Sequence, residues 1–560
     1  MMENLHNRPN VLLLDSNCLF HPQCFKILSF LTNETRVDKL EKIMIKRIMN
    51  YISYLIGFVN PIDTVYISVD GVAPLAKMGQ QRKRRSRAKD DATMKFDLMK
   101  KYKIPHNSSW SNVVITPGTE FMNKLHHALR KYCSNRTNID IIYSSYHTPG
   151  EGEHKILQYI KTLDETQSVV IYGLDADLIF LSMASQRENI YLLRESAQLG
   201  INTGKEEILD PVTDVAEMLM YVSIDEVKKC YIEQLTEMFA EKNVIPPSSI
   251  IDDFIFICYL LGNDFLPHFP SLNIHNDGLD ILINIYLDLY IERKDSIITF
   301  TEEKKVKINS AFVIDILKTL GSQEKNYFQI ELPIHKEKQA KRRCFGQDAY
   351  SREMWMIENM RVFNVVDYIK LGEGEEDEWK FRYYEHYFRS IEHQSETVDA
   401  ICKNYIDGLV WVTRYYFERC RSWRWQYYPT HAPFISDLYQ YIIKNNVNLN
   451  DIMFPQDKPI NMPNQLLSVL PACCSNILPK SFRHLVTSDE SPIIDMFPMS
   501  VALDMINKDQ YYQCIPMIPY LDIDRIEEAT KDIKITVEEE KRFASYKEYK
   551  YKKVEKPKKS

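Results

Sequence analysis

Residues 169–181 read VVIYGLDADLIFL, and the fold turns on how they are parsed. The β-branched and aromatic run 169–172 suits a short buried strand, and the two aspartates that follow, Asp175 and Asp177, then stand at its carboxyl end. The same unit occurs twice more towards the N-terminus: VLLL at 11–14 runs into Asp15, and VYISV at 65–69 runs into Asp70. Strand patterns at 11–14, 64–69, 139–143, 169–172 and 190–193 alternate with helical patterns at 38–56, 76–89, 119–133 and 151–162. Such alternation predicts an α/β fold, a mainly parallel sheet with flanking helices. Ligands of these sheets collect at the carboxyl ends of the strands, so the residues just after each run carry the functional expectation.

The 560 residues are 45% hydrophobic and 26% charged, enough apolar material for a large core and for roughly three or four domains. A net charge of −7 announces no nucleic-acid partner, so evidence for one has to be local. The 11 cysteines show no CxxC or CCHC spacing, which indicates neither a disulfide framework nor a zinc knuckle and suits a reducing compartment. The polar opening MMENLHNRPN and the short VLLL run do not make a signal peptide, and no apolar run approaches the ~20 residues of a membrane span. The expectation is a soluble, monomeric, cytoplasmic protein, not secreted and without a membrane partner, with the nucleus or a virion as alternative locations.

Four segments follow from composition. Residues 1–335 form the α/β unit, and 336–350 a basic linker within and after HKEKQAKRR. Residues 351–540 form a Tyr- and Trp-rich, mainly helical second domain. Residues 541–560, with nine Lys or Arg against two Glu, read as a flexible basic tail. GEGEEDE at 372–378 reads as an exposed acidic loop.

More carboxylates join the three strand ends. Glu151 and Glu153 lie in TPGEGEHK, where Pro-Gly opens a helix whose first turn projects acidic groups towards the same edge. Asp264 closes the apolar helical run FIFICYLLGND at 254–264. Any one such residue is commonly a turn or cap. Seven together demand more, because two carboxylates about 4 Å apart repel by roughly 4 kcal/mol at an effective dielectric of about 20, and the cluster needs cations to hold it. With no His or Cys among them, the hard oxygen set selects Mg²⁺, with Mn²⁺ as a substitute, over zinc. Two such ions, roughly 3.5 to 4 Å apart, suit phosphodiester hydrolysis, one activating water and the other stabilising the leaving 3'-oxygen.

After Asp70 comes GVAPLAKMGQQRKRRSRAK, in which Lys77, Gln81, Arg84 and Arg85 fall on one helical face. A basic face is usually solvated surface, and RKRR also resembles a nuclear-localisation run. The functional reading is a pocket for a terminal phosphate: guanidinium forks take its oxygens and Lys77 neutralises charge at the scissile group.

These blocks, VYISVDGVAP, AKMGQQRKRR, TPGEGEHKI, IYGLDADLIFL, IYLLRE and LLGNDFLPHFPSL, resemble in order the XRN family of 5'-to-3' exoribonucleases. EDEWKFRYYEHYF, GLVWVTRYYFERCRSWRW and the stretch 466–498 resemble that family's second conserved region. The resemblance implies that Asp15, Asp70, Glu151, Glu153, Asp175, Asp177 and Asp264 are metal ligands and that Lys77, Gln81, Arg84 and Arg85 form a 5'-phosphate pocket. It also implies that His21 of DSNCLFH and Trp425 of SWRW, with Trp423 as the alternative, sandwich the leading bases, a grip worth ~1 to 3 kcal/mol per base whatever the sequence. By themselves, His21 is more often a polar strand-end residue and Trp425 more often core. The chain departs from the family at Cys18, where Gly is usual, and at Leu75 and Gly79, in place of Arg and Asn. Its segment ahead of the first strand is almost absent, and it stops after the second conserved region, without a long C-terminal extension or zinc knuckle. This economy, with abundant Lys, Ile, Asn and Tyr, suits an AT-rich genome such as that of a large DNA virus.

The resemblance thus implies a processive 5'-to-3' exoribonuclease that hydrolyses 5'-monophosphorylated single-stranded RNA to nucleoside 5'-monophosphates in RNA decay, with a decapping or other RNA-processing partner. Its fold would be a flap-endonuclease-like nuclease sheet braced by the helical second domain around a tunnel or deep cleft. One alternative is a structure-specific 5' DNA nuclease of the flap endonuclease type, against which the Trp-rich second half argues. The other is a non-catalytic RNA 5'-end-binding protein or scaffold, which has no need to maintain seven mutually repelling carboxylates.

Overall fold

The computed structural model describes residues 1–136, 138–173, 175, 177–201, 209–241, 244–344, 346–392 and 394–554. A seven-stranded sheet runs through its centre. β1 (Val11–Asp15), β2 (Thr64–Ser68), β3 (Asp140–Ser144), β4 (Val169–Tyr172) and β5 (Ile190–Glu195) are parallel, in the order β3-β2-β1-β4-β5. The five strands expected from sequence are therefore all present, each within two residues of its expected ends. β1 lies between β2 and β4, with Asp15 opposite Ser68 and Leu14 opposite Tyr172. The chain runs from β1 through β2 to β3 on one side and then crosses to β4 on the other, which makes the carboxyl ends of β1 and β4 the switch point where such sheets hold ligands.

The register explains why VLLL reads as a continuous apolar run. Val11 and Leu13 enter the core on one face of the sheet, Leu12 and Leu14 the core on the other, and all four are fully buried. Each contributes ~1.5 to 3 kcal/mol relative to exposure, which anchors a strand whose end carries unfavourable charge.

The second half packs on both faces rather than beside the sheet. Helix Gln394–Phe417 brings Cys402, Tyr405, Leu409 and Trp411 into the core that holds Val11 and Leu13. Helix Met462–Val469 and helix Ile523–Thr530 enter the core that holds Leu12 and Leu14. The mainly helical second half expected from sequence is observed, and its cores are shared with the first half.

Two further strands of this sheet escaped the sequence reading. β6 (Leu219–Ser223) runs antiparallel to β5, and β7 (Tyr549–Tyr551) antiparallel to β3. β7 corrects the expected tail at 541–560. Helix Val537–Phe543 leads to a strand whose Tyr549 stacks on Tyr143 at 5.9 Å under Arg130, with Glu548 accepting from Tyr66 at 2.6 Å and Lys552 paired to Asp140 at 2.7 Å. Tyr549 and Tyr551, two residues apart, give this strand an apolar face that the net charge of the segment conceals. Residues 555–560 lie outside the described residues.

The basic stretch at 336–350 is likewise not simply a linker, since helix Leu332–Ala340 runs into it and helix Ala349–Glu358 begins at its end. The acidic stretch 372–378 is a loop only in part. Glu375 caps helix Glu376–Phe388, whose first turn takes Glu376, Asp377 and Glu378, the end of a helix dipole that favours negative charge. Among the described residues no helix is long and apolar enough to cross a membrane.

Candidate active site

Helix-cap positions are where carboxylates most often have a bland role, and two of the seven occupy them without serving it. Asp15 ends β1 at the N-cap of helix Ser16–Phe30, yet its side chain makes no capping bond and instead accepts from the Cys18 thiol at 2.9 Å. Glu151 stands at the N-cap of helix Gly152–Ile160, again with no capping bond. Its Oε2 accepts from the Tyr415 hydroxyl at 2.8 Å and its Oε1 lies 2.8 Å from Lys77 Nζ.

Glycines let these groups meet. A Cβ on Gly152 would stand 2.7 Å from Asp15 Oδ1 and 3.2 Å from Asp70 Oδ1, so only a residue without one lets both carboxylates close over the start of the helix. The Gly152 N–H then donates to Asp70 Oδ1 at 2.6 Å, and the Asp70 N–H donates to Asn17 Oδ1 at 3.0 Å. A Cβ on Gly71 would lie 2.0 Å from the Thr148 carbonyl oxygen, so this glycine lets the loop that leads into Glu151 sit against the end of β2.

Asp175 and Asp177 follow β4 as the sequence pattern requires, and Arg194 on β5 donates to the Asp175 carbonyl at 2.6 Å. Asp264 does not close a helix. Helix Ile250–Tyr259 ends earlier, and Asp264 sits in a turn where Asn263 Oδ1 accepts from Phe265 and Leu266 at 2.9 and 3.0 Å. Lys77 Nζ reaches Asp264 Oδ2 at 2.5 Å and Gln80 Nε2 reaches Oδ1 at 3.0 Å.

The electrostatics are those of crowded anions. Burial, reinforced by Asp70, pushes the Asp15 carboxyl up to about 7. Burial, with Asp264 and Asp175, pushes Asp177 up to about 7. Burial also raises Glu151 against the opposing pull of Lys77, and raises Glu153 well above the usual range. For Lys77 burial works downward, but Glu151, Glu153 and Asp264 outweigh it and hold the ammonium well above its ordinary value. Lys77 is thus a fixed positive charge at the edge of the cluster.

Asp15, Asp70, Glu151, Glu153 and Asp175 line a cavity of about 190 Å³ together with Lys77, Gln81, Arg84, Arg85 and His21. Asp264 joins it through Lys77, and Asp177 through the charges of Asp264 and Asp175. The basic wall is part of helix Leu75–Lys101, which is longer than expected at 27 residues. Its arginines divide by partner. Arg82 donates to the carbonyls of Met496 and Pro519, and Arg87 to those of Tyr511, Tyr512 and Cys514, so both clamp the second half. Arg84 and Arg85 face the cavity, Arg85 bonded to Gln81 at 3.3 Å and brought down to about 10 by burial and by Arg84. Burial, then Arg84 and Arg85, push His21 down to about 4, which leaves a neutral ring among fixed cations.

Neither tryptophan of SWRW is on the wall of that cavity. Trp425 stacks on Trp411 at 5.2 Å and lies over Gly408, where a Cβ would be 2.9 Å from its ring. Trp423 accepts from the Leu75 N–H at 2.8 Å through its carbonyl, which ties the second half to the start of the basic helix. The structure therefore brings His21 to the site and seats Trp425 in packing beside it. Asn17, Gln80 and Tyr415 touch the carboxylates and were passed over in the sequence. All three sit inside quoted blocks, but Tyr415 comes from the other half of the chain, and nothing local ties it to the carboxylates.

Among the described residues no three of these side chains form a ready-made cation cage. Lys77, Tyr415, the Gly152 N–H and Cys18 take up oxygens of Glu151, Asp264, Asp70 and Asp15. Among the described residues, Glu153 and Asp177 have no side-chain donor or cation in bonding range. An all-oxygen, crowded and partly unsatisfied set of this kind fits hard divalent ions.

Comparison with known proteins decides the family. A model described as XRN 5'-3' exonuclease N-terminus matches residues 2–196, and one described as Xrn1 helical domain matches 247–366 and 358–559. The chain belongs to the XRN family. The human 5'-3' exoribonuclease 1 is 31% identical over 547 residues, covering 88% of this chain and 31% of the relative. The Arabidopsis thaliana 5'-3' exoribonuclease 2 is 30% identical over 646 residues, covering 93% and 62%. The Schizosaccharomyces pombe 5'-3' exoribonuclease 1 is 30% identical over 617 residues, covering 90% and 45%. This XRN chain thus spans less than two thirds of the length of these relatives. XRN nucleases are metal-dependent in general.

Proposed function

We propose that this chain is a 5'-to-3' exoribonuclease acting processively on single-stranded RNA with a 5'-monophosphate, with two Mg²⁺ ions held by Asp15, Asp70, Glu151, Glu153, Asp175, Asp177 and Asp264, and Mn²⁺ able to replace them. The observation that carries this reading is one cavity lined both by carboxylates and by Lys77, Gln81, Arg84, Arg85 and His21. Carboxylates alone suit any metal nuclease. The basic residues beside them supply the direction, because they take a terminal phosphate and so set which bond lies against the carboxylates.

The bound ions would supply an activated water and charge stabilisation at the leaving 3'-oxygen. The chain's own residues do the rest. Arg84 and Arg85 take the terminal phosphate oxygens, Gln81 orients Arg85, and Lys77 holds positive charge beside the scissile group. His21 offers a neutral ring for a base to stack on, and Trp425 either shares that stacking or supports the surface beside it. A triphosphate or cap adds bulk and charge beyond the single terminal phosphate that Arg84 and Arg85 are placed to take, so RNA with such ends should resist cleavage. Work in RNA decay downstream of a decapping step follows from this end preference, and we place it in a monomeric, cytoplasmic protein.

The test is to incubate the purified chain with 5'-monophosphate RNA, 5'-triphosphate RNA and flapped DNA, with Mg²⁺ and with EDTA. The expected result is mononucleotide release from the monophosphate RNA alone, abolished by EDTA. Cleavage of flapped DNA at the junction, or binding of RNA ends without hydrolysis, would replace this reading with the DNA-nuclease or binding-protein alternative.

A further inference from the structure

One carboxylate of the cluster is held from the far half of the chain. Gly408, Trp411 and Tyr415 fall on one face of helix Gln394–Phe417, at spacings of three and four residues. Trp425 fills the space above Gly408 and stacks on Trp411 at 5.2 Å, and Trp411 stacks on Tyr415 at 4.9 Å with ring planes 15° apart. The ladder ends on the Tyr415 hydroxyl, which donates to Glu151 Oε2 at 2.8 Å. Phe265, next in sequence to Asp264, packs edge-on against both Trp411 and Tyr415 at 5.1 Å, and Lys77 Nζ lies 5.6 Å over its ring. Trp411 and Tyr415 are 1% and 2% exposed, so the ladder has almost no freedom to shift.

We propose that Tyr415, seated on the Trp411–Trp425 stack, is a positioning residue for the cation site: it fixes Glu151 in the orientation that a divalent ion requires. Glu151 has two oxygens, and Lys77 takes one of them. Without Tyr415 the other is free to turn towards Lys77 as well, and the carboxylate would be neutralised as an ion pair instead of being offered to a cation. Such outer contacts typically set metal affinity by about 10- to 100-fold. The inference rests on the cation-binding part of the proposed function, and it would make the helical half of the chain a component of the catalytic centre as well as a cover for it.

Tyr415→Phe tests it, since the substitution keeps the ring and its stack and removes only the hydroxyl. Divalent-ion binding is read without RNA, by titration calorimetry and by the rise of Tm with Mg²⁺. The half-saturating Mg²⁺ concentration should increase about 10-fold or more, while Tm in EDTA and the KM for RNA stay close to the parent values. Tyr405→Phe serves as the reference, because Tyr405 is equally buried on the same helix and donates to the Pro267 carbonyl at 2.8 Å, away from the carboxylates. It should alter Tm alone. Equal Mg²⁺ affinity in Tyr415→Phe and the parent, or a fall of Tm in EDTA as the sole effect, overturns the inference. Absence of any Mg²⁺ binding in the parent protein would instead overturn the proposed function on which it rests.

Discussion

Two sets of carboxylates in this protein are raised by burial and are treated in opposite ways: Asp253 and Glu324 on the one hand, Glu153 and the half-buried Asp177 on the other. Asp253 is fully buried and raised to about 7 by that burial, yet it accepts from the Tyr286 hydroxyl at 2.8 Å and the Ile298 N–H at 2.7 Å. Glu324, 2% exposed, accepts from the Ile435 and Ser436 N–H groups at 2.9 Å each and from the hydroxyls of Ser436 and Ser271. These are finished structural acceptors. Asp177 is also raised to about 7, but among the described residues neither it nor Glu153 has a side-chain donor or a cation in bonding range. A shifted carboxyl therefore does not mark a site by itself. What separates the two sets is the donor inventory: the fold spends four donors on Glu324 and, among the described residues, no side-chain donor on Glu153 or Asp177.

The largest effect should come from the unfinished set. Asp177→Ala is expected to abolish hydrolysis while RNA binding survives on the basic helix, and it should not lower Tm in EDTA, because a repelling charge is removed. More than a few per cent residual activity would sink the assignment of Asp177 as a cation ligand.

Glu324→Ala should do the reverse. It strands several buried donors at ~1 to 3 kcal/mol each, so denaturant unfolding should show a loss of about 3 kcal/mol or more, with kcat per folded molecule unchanged. A fall in kcat at full folding would mean that the two sets are not separate.

Arg84→Ala probes the basic wall. Losing one charge-assisted contact of ~1.5 to 3 kcal/mol should lower kcat/KM on 5'-monophosphate RNA by about 10- to 150-fold and leave 5'-hydroxyl RNA nearly untouched. An equal loss on both substrates would show that Arg84 does not read the terminal phosphate.

The smallest effect concerns pH. Asp15 and Asp177 rise from an ordinary 3.8 to about 7 on folding, so the folded chain holds more protons than the unfolded one across that window. Their contribution to stability is present below about pH 4 and is lost as the pH climbs towards about 7. Mg²⁺ competes with those protons, so the rise of Tm on adding Mg²⁺ should be a few degrees larger at about pH 8 than at about pH 5. An increment independent of pH would place the ion away from these two residues.

The sequence by itself determined the parallel sheet, its five strands and the exit of Asp15, Asp70, Asp175 and Asp177 at one edge. Strand composition and the residue after each strand are local properties, and a parallel register then aligns the ends. It also put Lys77, Gln81, Arg84 and Arg85 on one face of a helix, because helical spacing is local as well. Only the tertiary structure decided which charges are spent. Arg82 and Arg87 read in sequence like Arg84 and Arg85, yet they are consumed by carbonyls more than 400 residues away. β7 looked like a charged tail, because edge pairing depends on a partner strand that no local pattern reveals. The contact of Tyr415 with Glu151, and the seat of Trp425 on Trp411 instead of on the cavity wall, were not legible for the same reason. Their positions relative to Glu151 are set by packing between the two halves, a contact across more than 260 residues that composition and periodicity do not encode.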